Sequence, residues 1–517
     1  MRDRVFWRRT LLVLGLTALA ALSLSAAAAV PGESRIQPSK KLVLDWLGRP
    51  DILERYGRIS DTIWSYAELG LQEFKSSKLL ADALEKEGFK VERGLAGMPT
   101  CFVASYGQGR PVIGLLGEFD ALPMLSQKGR VPTKDPLVEG APGHGCGHNT
   151  MGTAAVAAAA ALKHAMDQYK IPGTIKVFGS PAEETIISRP YMVQAGLFKD
   201  VDAIIDNHSS STLASGYGRS GNAVFSVLFT FKGRTAHAAA FPWGGRSALD
   251  AVEVMDVAVN FLREHLPQSA RVHYIITQGG EAPNVVPDRA AVWYYIRDTD
   301  ETVESLYQRV LDCAKAGALA TGTELAEARV ISAVHQRHAN KALAELIQQN
   351  VRLVGMPSWS EEEEAFAKAL QKELKVPEVG MPKKVGVIDR PPEVFIGGGS
   401  SDVGEVTLVA PTATLEFPGQ VPGAIGHHWS AVACNFGSTA WKGLNVGAKV
   451  MAAAALDLLT DPAALKRVKD EFGAYSQLHP YKPFLPAGSQ PPLDLNLELM
   501  KKWLPRMEPF YLDRDVR

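Results

Sequence analysis

Cys146 and His148 stand two residues apart in His144-Gly-Cys146-Gly-His148-Asn149, a glycine-rich run that opens an alanine-rich helical stretch. A thiolate and an imidazole at that spacing can turn toward one metal ion, although the run also reads as a tight turn with an incidental thiol. Adjacent carboxylates, Glu183 and Glu184, follow the apolar run 175–178. One of such a pair can ligate an ion while its neighbour takes a proton from water, as hydrolysis requires; a solvated acidic turn is the plainer reading of a bare Glu-Glu. Asp206-Asn-His208 ends a third apolar run, and Gly426-His427-His428-Trp429 adds an imidazole in a Gly/Pro-rich loop. Each signal is weak alone. Together they fall at the C-terminal ends of successive expected strands, where open α/β sheets build their active sites, and a hydrolytic metal centre becomes the stronger reading.

The elements that must hold these residues show in the alternation of the chain. Ile52, Tyr56, Ile59, Ile63 and Tyr66 recur at spacings of three and four and predict a helix from residue 50; a second over 76–87 stops at Gly88. Short apolar runs predict buried strands at 111–117, 174–179 and 201–205, and 151–165 has the highest helix propensity in the chain. From 222 the order becomes β-α-β-β-α-β, with strands at 224–231, 271–278, 290–297 and 327–333 and helices at 247–265 and 301–320. That order describes a ferredoxin-like module. Helices are expected next at 340–354 and 361–374, and the α/β pattern is expected to return at 394–399 and 448–459. The fold class is therefore α/β. A largely parallel-sheet catalytic domain (42–221 and 335–480) is interrupted by a lid (222–334) and followed by a surface-wrapping tail (481–517) of weak periodicity.

Composition narrows the function. Apolar residues make up 46% and charged residues 21% of 517, which excludes wholesale disorder. Lys+Arg number 55 against 56 Asp+Glu, so no basic face is forced and nucleic acid is not the expected partner. Four cysteines in so long a chain make no disulfide framework. Arg2, Arg4, Arg8 and Arg9 precede an apolar run over 11–24 and alanines at 26–29. These are the three parts of a secretory signal over 1–29, cleaved after Ala29, so the mature protein is expected to be exported, periplasmic or secreted. The Arg8-Arg9 pair weakly resembles a twin-arginine signal, and an uncleaved membrane anchor is the alternative. No other segment reads as long and apolar enough to cross a bilayer.

The ordered set Gly117-Glu-Phe-Asp120-Ala-Leu-Pro123, His144-Gly-Cys146-Gly-His148, Pro181-Ala-Glu183-Glu184 and Gly233-Arg-Thr-Ala-His237-Ala resembles the M20 metallopeptidases, in particular their amidohydrolase branch, over about residues 42–475. Ser400-Ser-Asp-Val-Gly-Glu and the helical insert after Trp359-Ser-Glu-Glu look most like the aminobenzoyl-glutamate hydrolase B-subunit group within it. The resemblance implies two divalent ions, Zn²⁺ or Mn²⁺ with Co²⁺ a further option. Cys146 would be the shared ligand, with His148, Glu184, His208 and His427 completing the set. Glu183 would be the general base, with Asp120 orienting a ligand. His237 would reach the active site of a neighbouring copy in an oligomer. From the lid, Asn284 and Arg297 would contact substrate, Arg297 as the bidentate partner of a carboxylate.

The implied reaction is hydrolysis of N-acyl amino acids or small peptides, aminobenzoyl-glutamate-like amides among them. A dipeptidase or carboxypeptidase of the same fold and a catalytically silent peptide-binding protein are the alternatives. Implied partners are the small amide or peptide substrate and a second copy of the chain in a C₂ pair, or else a related chain in a heteromer. The chain departs from the family pattern in three places. Glu118 stands where many relatives carry Asp, Gly399-Ser-Ser-Asp402-Val replaces Gly-Gly-Glu-Asp-Phe, and His427-His428-Trp429 replaces His-Ser-Pro. The His-x-Trp spacing favours His427 over His428 as ligand. His164, His265, His273, His335, His338 and His479 read as structural or solvent-exposed.

Overall fold

Val112–Glu118 is buried at every position, and it forms the middle of the main sheet. The structure is a computed structural model that describes residues 36–513; the expected signal segment lies outside the described residues. In chain order the strands are β1 (Lys90–Arg93), β2 (Phe102–Gln108), β3 (Val112–Glu118), β4 (Gly173–Ser180), β5 (Ala203–Ser210), β6 (Ala214–Ser215), β7 (Gly218–Ser220), β8 (Ala223–Lys232), β9 (Arg271–Gln278), β10 (Arg289–Asp298), β11 (Glu324–Val334), β12 (Arg337–Ala339) and β13 (Thr412–Pro418).

The main sheet has the order β1-β2-β4-β3-β5-β13-β6. Its centre, β4-β3-β5-β13, is parallel, and antiparallel strands close both edges. Parallel strands of this kind are buried on both faces, which accounts for their near-continuous apolar runs. The helices His148–Tyr169 and Ser438–Thr460 pack on each other and on β3 and β13. Both are rich in alanine, which permits close helix–helix and helix–sheet approach at little entropic cost. Ser438–Thr460 corrects the expectation that nothing beyond the N-terminus is apolar enough to span a bilayer. It passes that test, with a mean hydropathy of 1.2 over 18 residues, but 83% of that window is buried inside the protein and it serves as a core helix.

A second sheet, β11-β8-β10-β9, is antiparallel throughout, and the helices Ala248–Leu262 and Val303–Thr321 cover one of its faces. Val292, Tyr294 and Ile296 of β10 are buried beneath those helices. The period of two sends Trp293, Tyr295 and Arg297 to the opposite face, toward the catalytic part. There Tyr295 packs with Ile186, Val224 and Val334, the Ser332 hydroxyl donates to Ile186 O, and Tyr191 donates to Ile331 O at 2.9 Å.

Two segments differ from the sequence reading. Residues 394–399 are irregular rather than a returning strand, and Val394 and Ile396 are exposed. Three successive glycines there offer no side chains to pack. The strand that completes the parallel core is β13 instead, whose alternation of threonine with apolar residues is a weaker signal than a continuous apolar run. The tail is also more ordered than its weak periodicity suggests. Leu497–Met507 is helical, and its Trp503 and Met507 pack on Ala67, Ala121 and Ala141, beside the loop that carries Asp120.

Candidate active site

Close backbone approach brings the first two motifs together. A Cβ on Gly152 would meet Glu118 O at 2.5 Å, so only glycine lets the start of the His148–Tyr169 helix sit against the end of β3. Gly147, at φ 97°, turns the chain from Cys146 into that helix in the left-handed region that favours glycine. His148 Nδ1 then lies 2.8 Å from Asp120 Oδ1, and the other Asp120 oxygen accepts Glu184 N at 2.9 Å. Asp120 thereby fixes both an imidazole and the acidic turn. With Nδ1 committed, His148 Nε2 points among carboxylates: 3.2 Å from Glu118, 3.7 Å from Glu183 and 3.9 Å from Glu184.

The remaining groups converge from β5 and the late loop. Cys146 Sγ is 3.4 Å from His208 Nε2, and His427 Nε2 is 3.3 Å from Glu184 Oε2. His428 is used otherwise: its ring caps the helix Trp429–Cys434 and meets Ser430 Oγ at 2.9 Å. His144 is turned away as well, bonded to Ile63 O at 3.1 Å. Three sets have ligand atoms all within 4.8 Å of one another: Cys146/His148/His208, Cys146/Glu184/His427 and Glu118/His148/Glu183. Cys146 is common to the first two.

The donor set fits divalent cations. His148 Nε2, Glu184 Oε1 and Glu118 Oε2 are buried without a hydrogen-bond partner, a costly state that a coordinated ion would relieve. Burial pushes Glu183 up to about 7 and Glu118 up to about 8, and it lifts Glu184 well above the usual carboxylate range, with Cys146 adding to the effect. Burial alone would raise the Cys146 thiol, but His208 and His148 carry it well below its ordinary value. Mixed S, N and O donors suit a borderline transition-metal ion. The backbone is strained at the same place: Ala182, Ile186 and His427 are non-glycine residues at φ 54°, 55° and 56°. Such conformations persist where surrounding structure holds functional groups in place.

Several participants were not visible in the sequence. Arg189 is fully buried and pairs with Glu118 at 2.7 Å and with Asp402. Glu73 accepts Ala182 N at 2.7 Å and anchors the strained turn. Tyr295 lies close enough to Glu184 and Glu183 for their charges to help burial raise its phenol. Only the departures at Glu118 and Asp402 signalled any of this. On the lid, Arg297 lies over the Tyr295 ring at 5.2 Å, donates to Ser400 Oγ at 3.2 Å and keeps a buried Nε without a partner. His237 and Asn284 are exposed neighbours joined through Ala238 N to Asn284 O at 3.0 Å. No hydrogen bond or ion pair among the described residues ties either to the cluster; His237 Nδ1 accepts Ala239 N and Ala240 N instead.

A family model for peptidase family M20/M25/M40 matches residues 114–456, which span every strand of the parallel core but the first two residues of β3. The p-aminobenzoyl-glutamate hydrolase B subunit of Escherichia coli (strain K12) is 38% identical over 463 residues, 85% of this chain and 96% of that protein. The Xaa-Arg dipeptidase of Mus musculus is 29% identical over 81% of this chain and 89% of its own length. Among solved structures, an aminobenzoyl-glutamate utilization protein from Klebsiella pneumoniae shares the fold with a TM-score of 0.54 at 18% identity, covering 80% of this chain and 97% of that one. The chain belongs to peptidase family M20/M25/M40 and is a hydrolase of that family.

Proposed function

We propose that the protein is a metal-dependent amidohydrolase that splits the amide bond of N-acyl amino acids, aminobenzoyl-glutamate-like amides included. The observation that carries this reading is the single thiol, Cys146, shared by two ligand sets beside a carboxylate, Glu183, that neither of those two uses. One ion would be held by Cys146, His148 and His208, the other by Cys146, Glu184 and His427. Bound there, zinc, manganese or cobalt ions would lower the pKa of water and polarise the amide carbonyl.

The chain's own groups do the rest. Glu183, which burial makes more basic than an exposed carboxylate, accepts the proton of the attacking water and returns it to the departing nitrogen. Asp120 holds His148 in one tautomer and orientation by accepting at Nδ1. The Arg189 guanidinium between Glu118 and Asp402 fixes the carboxylate nearest His148 Nε2. Arg297 would receive a substrate carboxylate, a reading that its buried, unpartnered Nε supports.

His237 acts in a second copy of the chain, where it stabilises the developing negative charge on the carbonyl oxygen. Its exposure supports this, as does the exposed apolar lid surface of Val254, Val257, Phe261, Ile275 and Ile276, a face suited to a homodimer. The similarity to one component of a hydrolase that has a differently lettered relative keeps a heteromer with a related chain as the second assembly. The N-terminal signal-like segment supports export. The test is a substrate panel on the metal-reconstituted mature protein. Acyl amino acids are expected to turn over faster than free-amine dipeptides, and a chelator is expected to abolish both. Preference for dipeptides would make it a dipeptidase, and no hydrolysis at all would leave a binding protein.

A further inference from the structure

A cavity of about 570 Å³ opens behind the ligand cluster, between β5, β13, the β7/β12 ribbon and the loop at Asp389-Arg390, and His208 forms part of its wall. The ribbon joins the main sheet region to the lid, and in it Arg337 pairs with Ser220 while His338 pairs with Arg219. Successive side chains on a strand face opposite ways. On one side His338 lies 2.8 Å from Asp300 Oδ2 and Arg219, which also reaches the cavity wall, pairs with Glu301, so both are spoken for. Arg337, on the other side, lines the cavity and enters no ion pair among the described residues. Arg390 does the same; its backbone N donates to Asp389 Oδ1 at 2.9 Å, but its guanidinium has no acidic partner among the described residues. Asp389 and Glu416 are the carboxylates of this wall. Glu416 stands in register with His208 on the adjacent parallel strand and therefore on the same face.

We propose that this cavity receives the amino acid released by hydrolysis as it leaves the Arg297 contact, its carboxylate passing to Arg337 and Arg390 and its new ammonium to Glu416; the proposal rests on the amide-hydrolase reading. Hydrolysis makes such a zwitterion where none existed. The C–N bond breaks, the oxygen of water ends on the acyl carbon as a carboxylate, and both protons of that water end on the nitrogen. A neutral amide nitrogen thus becomes a cation, the charge that Glu416 beside His208 would meet, while the carboxylate of the same fragment suits the two guanidiniums of the wall. An anionic acyl fragment would instead meet Glu416 with like charge.

Product inhibition of the metal-loaded enzyme tests the assignment with three probes: L-glutamate, its α-amide isoglutamine, and glutarate, which lacks the amino group. L-glutamate is expected to inhibit at least tenfold more tightly than either. R337A and R390A should each weaken L-glutamate about tenfold, the scale of a charge-assisted contact, and move isoglutamine by less than twofold. R337K should keep most of the affinity, which separates lost charge from lost fold. E416Q should weaken L-glutamate but not glutarate, and the surface control K199A should change nothing. Equal inhibition by all three probes, or L-glutamate inhibition untouched in both arginine variants, overturns the assignment. Failure of the underlying reading looks different: the wild-type protein then splits no amide, whereas the three probes can still be ranked by calorimetry.

Discussion

At the ends of β3, β4 and β5, buried donors face one another: His148 and Glu184 are almost fully enclosed, their free atoms aim at common points, and Asp120 and Arg189 hold them from behind. The lid tip that carries His237 and Asn284 is the opposite in each respect. Its imidazole and amide are exposed, its hydrogen bonds run within its own loop, and an edge-to-face pair of Phe241 and Trp243 stands in solvent beside them. The first region is a set of candidate ligands that one chain brings together. The second presents chemistry outward, as a surface does when another molecule supplies the other half.

The largest expected effect breaks the enclosed region. Cys146→Ala removes the group common to both ligand sets, so metal analysis should find less than one ion per chain, with hydrolysis at background. Glu183→Gln should keep two ions yet lose roughly a thousandfold in turnover, within the range for a general base, because the amide cannot take the proton. Retained turnover would take that role from Glu183. His237→Ala sharpens the comparison: metal content should be unchanged and turnover should fall about a hundredfold, the scale of one lost oxyanion donor. Mixing that variant with Cys146→Ala should restore activity, since a mixed dimer holds one intact cluster facing one intact His237. Without restoration, His237 does not act across the dimer.

How much of this could be read from the sequence follows the same division. Glu183, Glu184 and His208 were legible because each follows an apolar run, where topology forces strand ends together, and Cys146 and His148 because a glycine-rich turn delivers them to the start of an alanine-rich helix. The ferredoxin-like order of the lid was legible because its alternation is clean. Arg189 was not, because its buried ion pair with Asp402 joins residues 213 positions apart and leaves no periodic trace; Asp402 showed only as a departure from the family pattern. Tyr295 was hidden by a strand whose two faces both carry aromatic residues, one facing the lid core and one the cleft. The 394–399 run misleads because it is apolar in composition but too rich in glycine to pack. The tail helix escaped because Met500, Trp503 and Met507 are its only fully apolar stripe and Pro505 interrupts the pattern. Trp503→Ala supplies the smallest predicted effect on activity: a loss of about 3 kcal/mol in stability by denaturant unfolding, with turnover changed less than twofold. A larger loss of turnover would mean that the tail positions the Asp120 loop.

The central claim is that two ions share one thiolate. Anomalous diffraction from crystals of the metal-loaded protein should give two peaks, both within bonding distance of Cys146 Sγ, one reached by His148 and His208 and the other by Glu184 and His427. A single peak away from Cys146, or ions held by other residues, would contradict it.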